Sequence, residues 1–309
     1  MNRRWPTIAA VCLAAGFAAG TGPAPTAYAG TVRCLAYSTF DLDTPEGNAA
    51  ANSVGWMRFI GAPGETNRVT ATGRADNGWV LWDAGAPLRI GAPGKRERKC
   101  SRSSKRVSAP KSAYKTRIVL EGRDGNDELT ADVRRTRQTA SGALRGGDGD
   151  DRLVATLGRM EVGLFVVNGD AGDDDITFRW PYRFDHPFRS CPHWPDGTPA
   201  PGRCATLRRP QSVRIHGGSG DDRISIGAWN GGDATPQRLA ARPSLPGFTM
   251  KVSGGAGDDV IILHAAGDRA RNRADQAEVD CGPGRDTLDL DGGPAPVSVK
   301  RCETIINAA

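Results

Sequence analysis

Gly146-Gly-Asp-Gly-Asp-Asp151 is the stretch that decides the fold, because segments like it recur along the chain. Every copy has glycine at its fourth position and aspartate at its sixth. The six copies are Gly122–Asp127, Gly146–Asp151, Gly169–Asp174, Gly217–Asp222, Gly254–Asp259 and Cys281–Asp286. An internal repeat of this kind predicts stacked units, each of which buries its apolar face against its neighbours.

Apolar residues stand at fixed distances on both sides of each copy. They occur two residues before the copy, and two and four residues after its last aspartate. These positions are Leu120, Leu129, Ala131, Leu144, Leu153, Ala155, Val167, Ile176, Phe178, Ile215, Ile224, Ile226, Val252, Ile261, Leu263, Val279, Leu288 and Leu290. At 38% apolar composition, chance agreement at all of them is about 3 × 10⁻⁸. The period of two indicates strands, so the sequence predicts an all-β parallel solenoid built from strand, glycine loop and strand.

The spacing of the copies varies along the chain. The fourth-position glycines are separated by 24, 23, 48, 37 and 27 residues. The short steps predict one solenoid coil each. The step of 48 is either two coils, one without a motif, or one coil with a long insertion. The step of 37 also carries extra residues, which we place in Gly227–Phe248.

Glycine and aspartate together suit calcium, which takes six to eight oxygen ligands from carboxylates and carbonyls. Glycine permits the positive φ that turns main-chain carbonyls inward, and two stacked loops supply more oxygens than one. The alternative is that these are ordinary turns that never contact a metal. Arg285 replaces Asp or Asn in the last copy and predicts an incomplete site there. The candidate ligands are Asp124, Asp127, Asp148, Asp150, Asp151, Asp173, Asp174, Asp221, Asp222, Asp258, Asp259 and Asp286.

Stacking also brings carboxylates close together. Two such charges 4 Å apart repel by about 4 kcal/mol at an effective dielectric near 20, and a divalent cation reverses the sign. We therefore expect the repeat region to be loose without calcium and to become ordered when calcium binds.

The first 29 residues have the pattern of a secretory signal. Arg3 and Arg4 are the charged start, Ile8–Ala19 is the apolar run, and Ala27-Tyr28-Ala29 is the small-residue cleavage site. No later segment is apolar enough to cross a bilayer. The sequence thus predicts a protein that is secreted, or held at the cell surface, and that has no membrane span.

Cysteine usage agrees with export. Seven cysteines occur, and Cys12 would leave with the signal. The remaining six predict three disulfides in an exported chain, although counting alone leaves 15 pairings open. Pairing of nearest neighbours in sequence would join Cys34 to Cys100, Cys191 to Cys204 and Cys281 to Cys302.

The six copies resemble the haemolysin-type calcium-binding repeat, the repeats-in-toxin nonapeptide Gly-Gly-x-Gly-x-Asp-x-apolar-x. The resemblance implies a right-handed parallel β-roll with calcium between stacked turns. It also implies that main-chain carbonyls of the neighbouring glycines contribute ligands. The side-chain ligands implied by the resemblance are Asp127, Asp151, Asp174, Asp222, Asp259 and Asp286.

The chain is also similar to small secreted bacterial calcium-binding proteins that have a leading β segment. The residues that carry this similarity are Ile60–Val69, Val80–Leu88, Val279–Leu288 and Cys302-Glu303. The resemblance implies an N-terminal β segment over 30–118 and a calcium-binding solenoid over 119–309. In those proteins two cysteines usually stand near the position of Cys100. Here Ala109 replaces the second, which leaves Cys34 as the expected partner of Cys100.

Two segments stand apart from the repeats. Lys95–Arg117 holds ten Lys or Arg residues against one acid, and reads either as a surface loop or as a contact for an acidic wall polymer or glycan. Its one aromatic, Tyr114, is too few to interleave with ten basic residues, which argues against nucleic acid. The insertion 179–209 is rich in aromatics and arginine, and either covers a sheet edge or binds a glycan.

These patterns favour a secreted, non-enzymatic calcium-binding protein, with a disulfide-closed cap at its C-terminal end. No His-Glu-x-x-His or Gly-x-Ser-x-Gly motif occurs, and we assign no catalytic residue. One alternative is a β-solenoid polysaccharide lyase or hydrolase that uses a groove of Asp, Arg and Lys. Another is an adhesin that uses the insertion 179–209.

Overall fold

The computed structural model describes residues 30–38, 53–74, 78–91, 100–103, 105–109, 115–136, 139–157, 162–181, 189–190, 205–206, 211–229, 248–264, 277–291 and 298–306. These residues form strands, turns and short connections, and none of them is helical. The prediction of an all-β fold is therefore confirmed for these residues. In this part of the chain no helix could cross a membrane. The predicted signal 1–29, the Cys191–Cys204 pair and most of the insertion 179–209 lie outside the described residues.

The strands, in chain order, are β1 (Gly30–Ser38), β2 (Ser53–Gly61), β3 (Arg68–Gly73), β4 (Trp79–Asp83), β5 (Arg89–Ile90), β6 (Ser101–Ser103), β7 (Arg106–Ser108), β8 (Lys115–Asp124), β9 (Glu128–Asp132), β10 (Thr139–Asp148), β11 (Arg152–Thr156), β12 (Val162–Ala171), β13 (Asp175–Pro181), β14 (Arg189–Ser190), β15 (Ala205–Thr206), β16 (Gln211–Ser219), β17 (Arg223–Trp229), β18 (Phe248–Ala256), β19 (Val260–Leu263), β20 (Ala277–Asp280), β21 (Thr287–Asp289), β22 (Ser298–Lys300) and β23 (Thr304–Ile306).

Two long, mostly parallel sheets contain all of these strands except the β14–β15 pair. Sheet 1 has the order β22-β20-β18-β16-β12-β10-β8-β2-β1-β5, and sheet 2 has the order β23-β21-β19-β17-β13-β11-β9-β3-β4-β7-β6. From β8 onward the chain alternates between the sheets, apart from the β14–β15 pair, and each strand lies parallel to the corresponding strand of the coil before it. This is the strand arrangement of a two-sheet solenoid, in which each coil contributes one strand to each sheet.

The core lies between the two sheets and is built from the apolar positions of the repeat. All the flanking residues predicted from the sequence are buried. Equivalent residues stack in register, as in the series Leu129, Leu153 and Ile176 of sheet 2. Phe165 of sheet 1 meets Phe178 of sheet 2 with ring centroids 6.2 Å apart.

The long steps in the repeat are insertions within single coils. β12 pairs directly with β16, placing Val167 opposite Ile215, although the two copies are 48 residues apart. β16 likewise pairs with β18 across the step of 37. The open choice at the step of 48 is thus settled in favour of one coil with a long insertion.

The N-terminal strands continue the stack and then close it. β2 and β3 lie parallel to β8 and β9, so Phe59 stands opposite Leu120 and Val69 opposite Leu129. In sheet 1, β1 is antiparallel to β2. In sheet 2, β4 is antiparallel to β3, and β7 is antiparallel to β4. Residue 119, where the predicted solenoid domain begins, lies inside β8, and the division into domains stays a prediction.

Disulfides fasten both ends of the stack. Cys34 of β1 is bonded to Cys100, and Cys281 is bonded to Cys302 beside the last coil. Both pairings are those predicted from the sequence.

Candidate metal centre

The sixth-position aspartates of the six repeat loops form a buried column, which we call the inner ladder. Each is at most 2% exposed. At every step the backbone N–H of one aspartate donates to Oδ1 of the aspartate in the next coil, at 2.7–2.9 Å. The successive members are Asp127, Asp151, Asp174, Asp222, Asp259 and Asp286.

Two residues that the repeat alignment missed continue the inner ladder at its ends. The N–H of Asn67 donates to Oδ1 of Asp127 at 2.6 Å, and the N–H of Asp286 donates to Oε2 of Glu303 at 2.7 Å. The loop Gly61–Asn67 occupies the place of Gly122–Asp127 but is one residue longer. Its two glycines have the repeat spacing, and the extra residue moves Asn67 out of the sixth position.

The first-position glycines create a small space beside each inner aspartate, which we call a glycine cradle. A methyl group built on these glycines would lie 2.0–2.3 Å from Oδ2 of the aspartate in the same loop. It would also lie 2.3–2.7 Å from a main-chain carbonyl oxygen of the next coil. Only glycine lets both oxygens lie this close to the backbone. The five cradles belong to Gly122, Gly146, Gly169, Gly217 and Gly254.

The Oδ2 atoms that face the cradles are buried and have no hydrogen-bond partner among the described residues. Buried polar atoms in native proteins are almost always paired, and an unpaired buried carboxylate oxygen is costly. Oδ1 is held by the ladder hydrogen bond, which fixes the carboxylate orientation and directs Oδ2 towards the cradle. The inner ladder therefore presents a row of unsatisfied oxygens.

Burial raises the pKa of these carboxyl groups. The pKa is about 7 for Asp151, about 8 for Asp174, about 7 for Asp222 and about 6 for Asp259. Loss of solvation is the largest cause, and the negative charges of neighbouring aspartates add to it. Each Oδ2 thus favours a positive partner, either a proton or a metal ion.

The fifth-position residues form an outer ladder on the solvent side. Here the backbone N–H donates to Oδ1 of the fifth-position residue in the preceding coil, at 2.7–3.1 Å. These hydrogen bonds therefore run in the opposite direction along the stack to those of the inner ladder. The members are Asn126, Asp150, Asp173, Asp221, Asp258 and Arg285.

Arg285 ends the outer ladder with a cation. Its Nη2 and Nε donate to Oδ2 of Asp258 at 2.6 and 3.0 Å, and these bonds hold the pKa of Asp258 below its usual value. Arg285 offers a guanidinium where the other loops offer an oxygen.

The remaining two candidate ligands lie outside both ladders. Asp124 and Asp148 face each other in register at the third position of their loops. The negative charge of Asp124 is among the causes that raise the pKa of Asp127. The structure thus places ten of the twelve candidates in two columns, six buried and four on the solvent side.

Within each ladder the carboxylates are spaced one per coil, and they do not converge on a common point. Within the described ranges, no three His, Cys, Asp or Glu side chains gather as a metal-binding group would. An ion held by such a loop would take Oδ2 and the carbonyl oxygen that share a cradle as two of its oxygen ligands. Its remaining ligands would be other main-chain oxygens and water.

Comparison with known proteins finds no relative: no family model matches the chain, and neither does any curated protein or solved structure. The resemblance to haemolysin-type repeats therefore rests on the loop motif itself.

Proposed function

We propose that the protein binds calcium ions at the repeat loops, through the oxygens beside the glycine cradles, and that this binding orders the solenoid. The observation that carries the proposal is the row of unpartnered Oδ2 atoms, five of which share a cradle with a main-chain carbonyl oxygen of the next coil. A buried anion without a counter-charge destabilises the fold, and a divalent cation removes that cost.

The chain's own residues prepare the site before an ion arrives. The N–H of Asp151 holds Oδ1 of Asp174 at 2.8 Å, which leaves Oδ2 free for a ligand. Gly169 keeps the adjacent space open, and the carbonyl of Gly217 points into it. Calcium would supply the positive charge that this oxygen pair lacks.

Calcium must displace protons from carboxyl groups whose pKa lies near neutrality. This favours weak sites, with Kd of about 10⁻⁴–10⁻³ M, which suit the millimolar calcium found outside cells. The two disulfides agree with an oxidising, extracellular setting. The resemblance to haemolysin-type repeats supports the same proposal and extends it to a right-handed coil.

Thermal unfolding of the full chain in calcium and in chelator tests this function. We expect calcium to raise the melting temperature by at least about 5 °C, which ligand linkage produces at about 100-fold excess over Kd. Magnesium at equal ionic strength is the control, because it prefers a smaller octahedral site. Identical melting in all three buffers would rule the proposal out.

A second candidate function, binding of an acidic glycan, is favoured by a cavity of about 760 Å³ on the outer face of sheet 2. Four arginines and one aspartate line it, so its formal charge is +3. Arg106 stacks over Trp82 at 5.6 Å, which combines a cation with a flat aromatic surface. The lining residues are Thr72, Gly73, Arg74, Val80, Trp82, Arg106, Asp132, Arg134 and Arg135.

Binding assays with three polymers test which ligand this cavity prefers. The polymers are a uronate-rich polysaccharide, a neutral polysaccharide, and single-stranded DNA with the same charge as the uronate polymer. We expect binding of the uronate polymer, and an Arg106→Ala variant that loses at least about fivefold in affinity. Arg223→Ala, an exposed arginine on β17 of the same sheet, is the matched control. Equal loss in both variants, or tighter binding of DNA, would contradict a glycan site.

A further inference from the structure

Three side chains on the outer face of sheet 2 form a connected hydrogen-bonded chain. Oγ of Ser225 lies 2.9 Å from Nε2 of His264, and Nδ1 of the same imidazole lies 2.7 Å from Oδ2 of Asp291. A hydroxyl, an imidazole and a carboxylate joined in this order are the arrangement by which a serine is activated as a nucleophile.

The register of the solenoid brings the three residues together from successive coils. Ser225 is on β17, His264 directly follows β19, and Asp291 lies two residues after β21. The N–H of His264 donates to the carbonyl of Ile226 at 2.9 Å, which places the imidazole beside Gly227. The N–H of Asp291 donates to Oδ1 of Asp289 at 2.9 Å and orders the turn that carries it.

We propose that Ser225, His264 and Asp291 form a hydrolytic site for carboxylic esters. Oγ of Ser225 attacks the ester carbonyl carbon while Nε2 of His264 takes the hydroxyl proton and passes it to the departing alcohol oxygen. Water, deprotonated by His264, then attacks the acyl-serine, releases the carboxylic acid and restores the Ser225 hydroxyl. Asp291 is a positioning residue, which fixes the imidazole and stabilises its charged form.

The surroundings of the site define the class of substrate. His264 and Asp291 are 42% and 55% exposed, so the site lies open on the sheet face and suits an ester carried by a large or extended molecule. The exposed Arg179 stands opposite Gly227 on the neighbouring strand β13, which puts a positive charge on the same sheet face as Ser225. General-base assistance in a solvated site is worth about 10²–10⁴-fold.

This inference is independent of calcium binding and goes beyond the non-enzymatic role that the sequence favours. The competing explanation is purely structural, since the same contacts tie three coils together. The catalytic and the structural explanations predict different covalent chemistry, because Ser225 would not be acylated if its role were only structural.

The test is labelling of the full chain with a fluorophosphonate probe, followed by mass spectrometry of the modified peptide, together with hydrolysis of p-nitrophenyl acetate. We expect the probe on Ser225 and a rate that falls to that of buffer in Ser225→Ala. His264→Gln, which keeps a hydrogen-bonding side chain, is expected to slow labelling by about 100-fold. Ser212→Ala, at an outer-face serine of β16 in sheet 1, is the control and retains the full rate.

The Asp291→Asn variant tests whether Asp291 positions the His264 imidazole for catalysis or only stabilises the fold. We expect kcat to fall by about tenfold or more with KM unchanged, at a melting temperature within a few degrees of the wild type. Absence of probe at Ser225 in the folded wild-type chain, or equal hydrolysis by wild type and Ser225→Ala, overturns the proposal. The wild-type labelling result decides even where a variant fails to fold.

Discussion

The backbone nitrogen of Asp174 lies 2.9 Å from Oδ1 of Asp222, although 48 residues separate them in the sequence. The equivalent contact between Asp127 and Asp151 spans 24 residues and measures 2.7 Å. The inner ladder therefore has the same geometry whether or not a coil carries a long insertion. Its continuity makes the buried carboxylates a single column, whose charge must be balanced as a whole.

Asp174→Asn should have opposite effects with and without calcium. The amide keeps an oxygen to accept the N–H of Asp151 but removes the negative charge beside the cradle. At pH 8 without calcium we expect stability equal to or up to about 3 kcal/mol above wild type, because a buried anion has been removed. With saturating calcium we expect lower stability than wild type and one ion fewer bound. Thermal unfolding in the two buffers measures both effects.

The neighbouring Asp173→Asn is the matched control for this substitution. Asp173 is exposed on the outer ladder, and its replacement should change stability by less than about 0.5 kcal/mol in either buffer. If the two variants behave alike, the buried oxygen has no special role.

The calcium-free protein should become less stable as pH rises from about 5 to about 8. Four inner aspartates, Asp151, Asp174, Asp222 and Asp259, have pKa values raised to about 6–8 in the fold, so the folded state holds more protons than the unfolded state in this window. Stability is then greatest at the acidic end and is lost as these groups ionise. Melting temperatures in chelator at several pH values should fall by at least about 5 °C. A melting temperature that rises over this range would contradict the burial of ionisable carboxylates.

Gly169→Ala should damage both folding and ion binding. The new methyl group would stand 2.0 Å from Oδ2 of Asp174 and 2.4 Å from the carbonyl oxygen of Gly217. We expect a loss of about 1–3 kcal/mol or more in unfolding free energy, and one calcium fewer. Gly227→Ala is the control, since its methyl group would meet His264 at an ordinary 3.6 Å. Chemical denaturation of both variants makes the comparison.

Removing the Cys281–Cys302 disulfide should destabilise the C-terminal end of the stack. The bond closes a segment of 21 residues and holds β22 and β23 against the preceding coil. A Cys281→Ala/Cys302→Ala double variant is expected to lose about 3 kcal/mol. In hydrogen-exchange measurements, amide protection should be lost in residues 298–306 before it is lost near β8. Uniform loss of protection along the whole stack would contradict a local cap.

Much of the fold follows from the sequence because its pattern is local. The flanking apolar residues, such as Leu144 and Leu153, have fixed distances from their loop, and a period of two determines which side chains point inward. The lengths of the insertions gave no information on coil number. That was decided by which strands pair, and pairing depends on the whole stack.

The sequence singled out the aspartates of the repeat loops as candidate ligands, and their arrangement in two ladders came from the structure. The sixth position, that of Asp174, is aspartate in every copy, whereas the fifth position, that of Asp173, varies. That the first is buried and the second exposed depends on which side of the turn faces the next coil. Asn67 was missed because one extra residue shifts its loop out of register. Ser225 and His264 were missed because they meet only through stacking of separate coils.

Calorimetric titration of the full chain with calcium is the most direct test of ion binding by the repeat loops. We expect saturable heat with a stoichiometry approaching five ions per chain, one for each loop that has a glycine cradle, and no heat in the presence of excess chelator. Absence of any saturable heat up to about 10 mM calcium, well above the expected Kd, would contradict it.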